Sequence, residues 1–202
     1  IQQRLDLLEK HGIRLVEVDA RDYKFMSYLL CDIPCDTLIH LAAVAHANKS
    51  NKDPYSTIDH SMRTLENTLD VARTNHNEIN HFIFFSSSMV YGDFNSVVVT
   101  EDTICNPKGI YGSLKYCAEK IIKAYNEAFG LAYTIVRPSA LYGERCVSRR
   151  VGQIFIEEAL EKGEIAITGD KTSSLDFTYI DDLVTGVVKI LENENSKKSP
   201  SR

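Results

Sequence analysis

Hydroxyl groups and one amine stand out in this sequence for their spacing. Tyr111 and Lys115 lie four residues apart near the start of a predicted helix, which places both side chains on one face. Upstream, the apolar run "HFIFF" ends in Ser86, Ser87 and Ser88. A phenol has an ordinary pKa of about 10, and a nearby ammonium favours the phenolate. A serine beside such a pair would position a substrate hydroxyl while the phenolate deprotonated it, which suits hydride removal from a carbinol carbon.

Each pattern also has a purely structural explanation. Tyr111 and Lys115 belong to a stripe that packing alone would explain, continuing through Ala118, Ile122, Tyr125 and Phe129. Three serines after a strand also suit a turn or a helix cap. Their joint occurrence, in this order and in an α/β sequence, favours a functional site.

Composition excludes several classes of protein. The 202 residues carry a net charge of −5, which favours neither nucleic acid nor acidic membranes. No apolar run approaches the ~18 residues of a membrane span, and no signal peptide is visible. Only two of the five cysteines, Cys31 and Cys35, lie close in sequence, so we expect reduced structural thiols, no metal site and a cytoplasmic protein.

Apolar strands alternate with amphipathic helices along the chain. Strands are predicted near residues 14–18, 37–42, 81–86, 133–137 and 164–168, and helices near 2–12, 54–74, 111–129 and 151–162. This alternation predicts an α/β fold with a Rossmann-like, doubly wound parallel sheet. Ligands bind outside the carboxyl ends of such strands, so we expect the three serines to face a cleft.

Local signals define the predicted helices. Asp53 is a predicted cap with Pro54 in the first turn, and Gly12 and Gly130 are predicted stops. Apolar residues expected to face inward are Leu5 and Leu8 in the first helix and Ile58, Met62, Leu65, Leu69 and Ala72 in the helix at 54–74.

Six ordered segments carry a family resemblance: "VEVDARD", "LIHLAAVAHANKS", "FIFFSSSMVYG", "YGSLK", "IVRPSALYG" and "LDFTYIDDLVTGV". Through them, residues 13–192 resemble the extended short-chain dehydrogenase/reductases of the NAD-dependent sugar-nucleotide epimerase/dehydratase group. The resemblance implies a partial NAD-binding Rossmann domain at 1–140 and a partial substrate-binding lobe at 141–202. It also implies a nucleotide-sugar substrate, NAD or NADP as cofactor, and a homodimer formed through the helices at 54–74 and 111–129.

The resemblance also assigns roles to residues. Tyr111 is the implied catalytic base, Lys115 lowers its pKa and holds the nicotinamide ribose, and Ser87 is the catalytic hydroxyl. Further implied cofactor contacts are Asp19, Ala20, Leu41, Ala42, Ala43, Ala45, Ser61, Pro138 and Ser139, and implied substrate contacts are Ser87, Ser88, Ala140, Arg149 and Arg150. His46 and Ser50 match a dehydratase pattern, although a structural role explains His46 and His40 equally well.

Departures from the family pattern indicate which of the family's reactions to expect. Related dehydratases have an Asp-Glu pair where this chain has Ser88 and Met89. Methionine cannot exchange a proton, which favours an epimerase cycle over elimination or decarboxylation. Two substrate-gripping positions hold Ala140 and Leu175 instead of Asn and Arg. The arginines at 145, 149 and 150 could replace that charge, or form a solvated basic loop.

The ten glycines form no dinucleotide-binding turn, neither G-x-x-G-x-x-G nor G-x-G-x-x-G. Since that turn supplies the pyrophosphate donors and the first residue is Ile1 rather than Met, we expect a fragment, or a gene product that has lost both ends. Three readings stay open: an NAD-dependent epimerase-like oxidoreductase, a dehydratase or decarboxylase of the same family, and a non-catalytic remnant. We expect the chain alone to retain no cofactor and show no turnover.

Overall fold

A computed structural model describes residues 2–44, 47–74, 79–93, 98–146, 150–167 and 175–193. Ala45, His46 and Arg149, which the sequence singles out, lie outside these ranges. The helices are α1 (Gln2–Lys10), α2 (Tyr23–Asp32), α3 (Ala47–Lys52), α4 (Pro54–Ile58), α5 (Thr64–Thr74), α6 (Gly109–Phe129), α7 (Val151–Lys162) and α8 (Ile180–Glu192). A π-helical turn (Asp59–Arg63) joins α4 to α5, and a 3₁₀ helix spans Ser88–Tyr91.

Three strands form a parallel sheet in the order β1-β2-β3, with β1 at Thr37–His40, β2 at His81–Phe85 and β3 at Ala132–Val136. His81 is in register with both Thr37 and Ala132, so the carboxyl ends of the three strands meet at one edge. A second parallel pair joins β4 (Ala140–Tyr142) to β5 (Phe177–Tyr179). The predicted parallel α/β architecture is confirmed.

The strands predicted at 14–18 and 164–168 are wrong. Residues 13–19 and 164–167 are not in strand conformation. An alternating sequence becomes a strand only when another strand hydrogen-bonds to it, and neither segment is paired in either sheet. The side chains of Ile13 and Leu15 are correspondingly 51% and 53% exposed.

The core lies between β2 and the helices α5 and α6. Its buried side chains are Leu65, Leu69, Ala72, Ile79, Phe82, Phe84, Ala118, Ile122 and Leu131. The predicted stripe of the helix at 54–74 is thus confirmed from Leu65 onward. Met62 is only partly buried and Ile58 is 47% exposed, because the five-residue π turn rotates α4 relative to α5.

The predicted helix ends are confirmed, whereas one predicted buried face is wrong. Asp53 accepts a hydrogen bond from the Ser56 amide at 3.1 Å, and Gly130 ends α6 in the left-handed conformation. Gly12 follows α1 at φ 68°. No residue of α1 is buried, and Leu5 is 39% exposed, so the expected inward packing of Leu5 and Leu8 does not occur.

Candidate active site

The three serines after β2 differ in their burial and in their hydrogen bonds. Ser86 is 4% exposed, which contradicts the expectation that all three serines face a cleft. Ser87 is half-buried and caps the 3₁₀ helix, its Oγ accepting from the Met89 amide at 3.2 Å. Ser88 is also half-buried, and its amide donates to the Pro138 carbonyl at 3.0 Å, which fixes the end of β2 against the segment after β3.

Tyr111 and Ser87 converge, as the sequence predicted. Their side chains are close enough for the Ser87 hydroxyl to affect the Tyr111 pKa, although Ser87 follows β2 and Tyr111 lies in the first turn of α6. Burial raises the pKa of Tyr111, while the Ser87 hydrogen bond and the positive charge of Arg150 act in the opposite direction. The phenol is therefore neutral near pH 7.

Lys115 lies one turn further along α6 and is only 8% exposed. Its Nζ donates to the Phe85 carbonyl at 2.6 Å, lies 4.8 Å from the centroid of the Phe84 ring, and is 6.0 Å from that of Tyr111. Burial lowers the pKa of Lys115 to about 8, with Glu119 opposing the shift. In this arrangement burial is the largest influence on the Tyr111 pKa and raises it, and the Lys115 ammonium is directed to a backbone carbonyl. That Lys115 lowers the Tyr111 pKa during the reaction stays a prediction.

A glycine allows the close approach of α6 to the 3₁₀ helix. A Cβ added to Gly112 would lie 2.8 Å from the Met89 carbonyl oxygen and 3.4 Å from Pro107. Since Gly112 directly follows Tyr111, the absence of a side chain is what lets the phenol approach Ser87. Sequence reasoning missed this residue, although a glycine in the first turn of a long helix was the available signal.

Several predicted cofactor residues line a single cleft. Its walls are Ala42, Ala43, Val44, Ser61, Met62, Phe84, Tyr111, Leu114, Lys115 and Ala118. The Ser61 hydroxyl accepts from the Val44 amide at 3.4 Å, which ties the π turn to the segment after β1. Leu41, another predicted contact, is 65% exposed and lies outside this lining.

Asp19 and Ala20 lie apart from that cleft. Arg21 holds the Asp19 carboxylate with Nε at 3.1 Å and Nη2 at 2.7 Å, and also reaches Asp59 at 2.8 Å. These Arg21 hydrogen bonds lower the pKa of Asp19 to about 2. The Ala20 carbonyl accepts from the Asn67 side chain at 2.9 Å. The predicted adenine contact is therefore occupied by an internal arginine.

The predicted substrate residues follow β3. Pro138 and Ser139 are half-buried, and the Ala140 amide donates to the Asp176 carbonyl at 3.1 Å as β4 begins. Arg150 is exposed at the N-terminus of α7, and its charge reaches Tyr111.

His40 is a core residue. It is 3% exposed, shares a hydrogen bond of 3.1 Å with Thr68 Oγ1, and stacks between Phe82 and Phe84. Burial and the charge of Lys115 lower its pKa to about 4. Its Nε2 has no hydrogen-bond partner by geometry, although the Ala42 backbone is near enough to raise the pKa slightly. Of the two roles that the sequence left open, the structure supports the structural one for His40.

A buried ion pair beneath the site was not predicted. Glu119 is fully buried and accepts from Arg137 Nε at 2.9 Å and Nη2 at 2.7 Å. It also accepts from Ser86 Oγ at 2.5 Å, while Arg137 Nη1 donates to the Tyr91 hydroxyl at 2.8 Å. The sequence signal was available, since Glu119 lies four residues after Lys115 and eight after Tyr111.

Two other classes of site find no support in the described parts of the chain. No group of three His, Cys, Asp or Glu side chains there is placed to hold a metal ion. Among the helices described, none is both long and apolar enough to cross a bilayer. All five cysteines are thiols.

Comparison with known proteins places this geometry in context. Residues 2–202 match the NAD dependent epimerase/dehydratase family. UDP-glucuronate 4-epimerase 2 of Arabidopsis thaliana is 30% identical over 195 residues, covering 95% of this chain and 45% of that protein. An uncharacterized UDP-glucose epimerase of Bacillus subtilis, YtcB, is 33% identical over 159 residues, covering 77% of this chain and 49% of that protein.

A solved structure agrees with these relatives. The UDP-glucuronic acid 4-epimerase of Bacillus cereus, in complex with UDP-glucuronic acid and NAD, superimposes with a TM-score of 0.82 at 29% identity. The match covers 95% of this chain and 60% of that one. The chain spans about half the length of the curated relatives it matches. With a parallel sheet, a Ser-Tyr-Lys cluster at its carboxyl edge and a match over nearly every residue, the chain belongs to the NAD dependent epimerase/dehydratase family.

Proposed function

We propose that this chain carries the catalytic half of an NAD-dependent epimerase that inverts a carbinol carbon of a UDP-sugar. The observation that carries the proposal is the convergence of Ser87, Tyr111 and Lys115 at the carboxyl edge of the sheet. The epimerases among its relatives, whose solved structures hold UDP-sugars and NAD, support the substrate class and the cofactor.

Part of the chain fits NAD. The cleft beside Tyr111 and Lys115 is lined by the small residues Ala42, Ala43 and Ser61, whose short side chains fit the close approach of a cofactor to the sheet edge. Tyr111 and Lys115 would hold the ribose hydroxyls, and the bound cofactor would accept a hydride and return it. The Asp19 carboxylate, which stays 53% exposed beside Arg21, would contact the adenine end. Donors for the pyrophosphate are not encoded in the glycine pattern of these residues.

The chemistry of the residues follows from their positions. Ser87 accepts or donates one hydrogen bond and orients the sugar hydroxyl toward Tyr111. Tyr111 removes the hydroxyl proton as the carbinol becomes a ketone, and returns that proton when the ketone is reduced from its other face. For this, the Tyr111 pKa must fall, which requires the Lys115 ammonium to turn from the Phe85 carbonyl toward the phenol.

Residues beside the site favour epimerisation over its alternatives. In the family resemblance, dehydratases and decarboxylases carry acidic residues directly after the catalytic hydroxyl, and this chain has Ser88 and Met89 there. Met89 is 40% exposed and carries no exchangeable proton.

A non-catalytic role is the second candidate. It is favoured by the Arg21 hydrogen bonds to the Asp19 carboxylate, which engage the implied adenine contact within the chain. In that case the chain would keep the fold and the cleft without turnover.

The test uses a protein in which a glycine-rich strand-turn-helix unit of a relative precedes these residues. NAD binding and epimerisation of UDP-glucuronic acid and UDP-glucose are measured for this protein and for its Tyr111→Phe variant. The proposal predicts that the variant loses most of its turnover and keeps nearly all of its NAD affinity, because the phenyl ring still fills the cleft. Equal loss of binding and turnover would make Tyr111 a structural residue, and turnover that Tyr111→Phe leaves intact would refute the proposal.

We also propose a homodimer formed through the helical residues 54–74 and 111–129, and a cytoplasmic location. The family resemblance implies the first, and an exposed aromatic side chain at the end of α6 supports it. There Phe129 is 52% exposed, contacts Tyr125 edge-on, and lies 4.8 Å below the Arg73 guanidinium. Reduced thiols support the cytoplasmic location.

Sedimentation equilibrium of the wild-type chain and of Phe129→Ser tests the dimer, and a monomeric wild type would contradict it.

A further inference from the structure

Three side chains of α6 contact three consecutive residues at the end of β2. Tyr111, Lys115 and Glu119 are spaced four residues apart, so they form one line along the helix. Their partners are the successive residues 85–87: Tyr111 lies close to Ser87, Lys115 Nζ donates to the Phe85 carbonyl, and Glu119 accepts from the Ser86 hydroxyl. Glu119 therefore belongs to the same contact line as two implied catalytic groups.

Glu119 is held as a buried carboxylate. It is fully buried, and Arg137 grips both of its oxygens with a side chain that is 15% exposed. A buried ion pair adds little net stability, because desolvation of the two ions offsets their attraction. This ion pair is therefore better explained by its positioning of α6 against the end of β2 than by a gain in folding stability.

The carboxylate also acts on Lys115 through its charge. Burial lowers the pKa of the Lys115 ammonium, and Glu119 is the group that acts in the opposite direction. Glu119 lies one helical turn after Lys115 on α6, so its carboxylate is the charge of the ion pair that shares a helix face with Lys115.

We propose that Glu119, clamped by Arg137, is a positioning residue of this site: it fixes α6 along the end of β2 and holds a negative charge one helical turn from Lys115. The contacts of Glu119 do not depend on the proposed function. Only the expected effect of Glu119 on catalysis rests on that function. In that setting, a neutral Lys115 could not favour the Tyr111 phenolate, so loss of Glu119 would impair the base without touching the substrate.

The test measures the pKa of Lys115 directly, without cofactor or substrate. Lysine labelled with ¹³C at Cε is titrated by NMR in the 202-residue chain, and Lys115→Met assigns the signal. In Glu119→Gln we expect the Lys115 pKa to fall below the wild-type value. In Ser86→Ala, which removes a Glu119 hydrogen bond and keeps the charge, we expect it to stay at or above that value.

A second variant keeps the test decisive if Glu119→Gln does not fold. Glu119→Gln with Arg137→Met removes both ions, so no unpaired charge stays buried. We again expect a Lys115 pKa below that of the wild type. An unchanged Lys115 pKa in the charge-removing variants, or an equal fall in Ser86→Ala, would overturn the proposal. A fall in the Lys115 pKa that is confined to the charge-removing variants supports the role of Glu119. This result does not depend on the turnover assay, so failure of the proposed function can be told apart from failure of this proposal.

Discussion

Replacing Lys115 with methionine should change how stability depends on pH. Lys115 is 8% exposed, and burial lowers its pKa from 10.5 to about 8. Between these two values, the unfolded chain binds a proton that the folded chain does not. Stability from this group is therefore reduced below pH 8 and recovers as the pH rises toward 10.5.

The magnitude follows from the size of the shift. At roughly 1.4 kcal/mol per pKa unit, the protonated lysine costs the folded state about 3 kcal/mol near pH 7. Lys115→Met has no such cost and nearly the same volume. The variant loses the hydrogen bond to Phe85, worth about 1 kcal/mol, at every pH. The stability of the wild type relative to the variant should therefore rise by about 3 kcal/mol between pH 7.5 and pH 10.5.

Urea unfolding at half-unit pH steps, in the presence of a reductant, measures this difference. Lys120→Met is the matched control, because Lys120 is on the same helix and exposed. Its curve should remain parallel to that of the wild type. Tyrosines with raised pKa values, Tyr111 among them, lower the stability of the wild type, Lys115→Met and Lys120→Met alike above pH 10. Parallel curves for wild type and Lys115→Met up to pH 10 would refute the reasoning.

Three further outcomes are expected. Since burial lowers the His40 pKa to about 4, stability should fall by about 3 kcal/mol as the pH drops from 6.5 to 4, and His40→Gln should lack that loss in acid urea melts. Gly112→Ala should destabilise the chain by about 1–3 kcal/mol, because the added Cβ would clash with the Met89 carbonyl. Gly186→Ala has open space around it and should stabilise the chain by up to about 1 kcal/mol. The urea midpoint measures both changes. Millimolar NAD should leave the melting midpoint of the 202-residue chain unchanged, because the pyrophosphate donors are missing, and a saturable rise would contradict this.

Periodicity was sufficient to predict the parts of the fold that are stabilised by local packing. The strands β1, β2 and β3 and the helix α6 were predictable because each contributes apolar side chains to one core, with β2 buried along nearly its whole length. Residues 13–19 alternate just as well, yet form no strand, since pairing depends on a partner elsewhere in sequence. The π turn at 59–63 was equally invisible, because its residues continue a helical pattern.

The sequence predicted which residues form the site better than it predicted their pKa shifts. Spacing and resemblance brought Ser87, Tyr111 and Lys115 together, and their convergence could be predicted. The direction of the Tyr111 pKa shift could not, because it depends on how deeply α6 is buried and on where the ammonium points. Glu119 was overlooked because its role depends on contacts with residues 33 and 18 positions away.

The measurement that tests the account most directly follows the reacting hydrogen. A UDP-sugar carrying deuterium at the epimerised carbon is incubated with NAD and the protein that combines a glycine-rich unit with these residues. The account predicts an epimer that retains the deuterium, because the same hydride leaves and returns, and it predicts a large loss of rate in Tyr111→Phe. Deuterium lost to solvent, or a Tyr111→Phe variant as fast as the wild type, would contradict it.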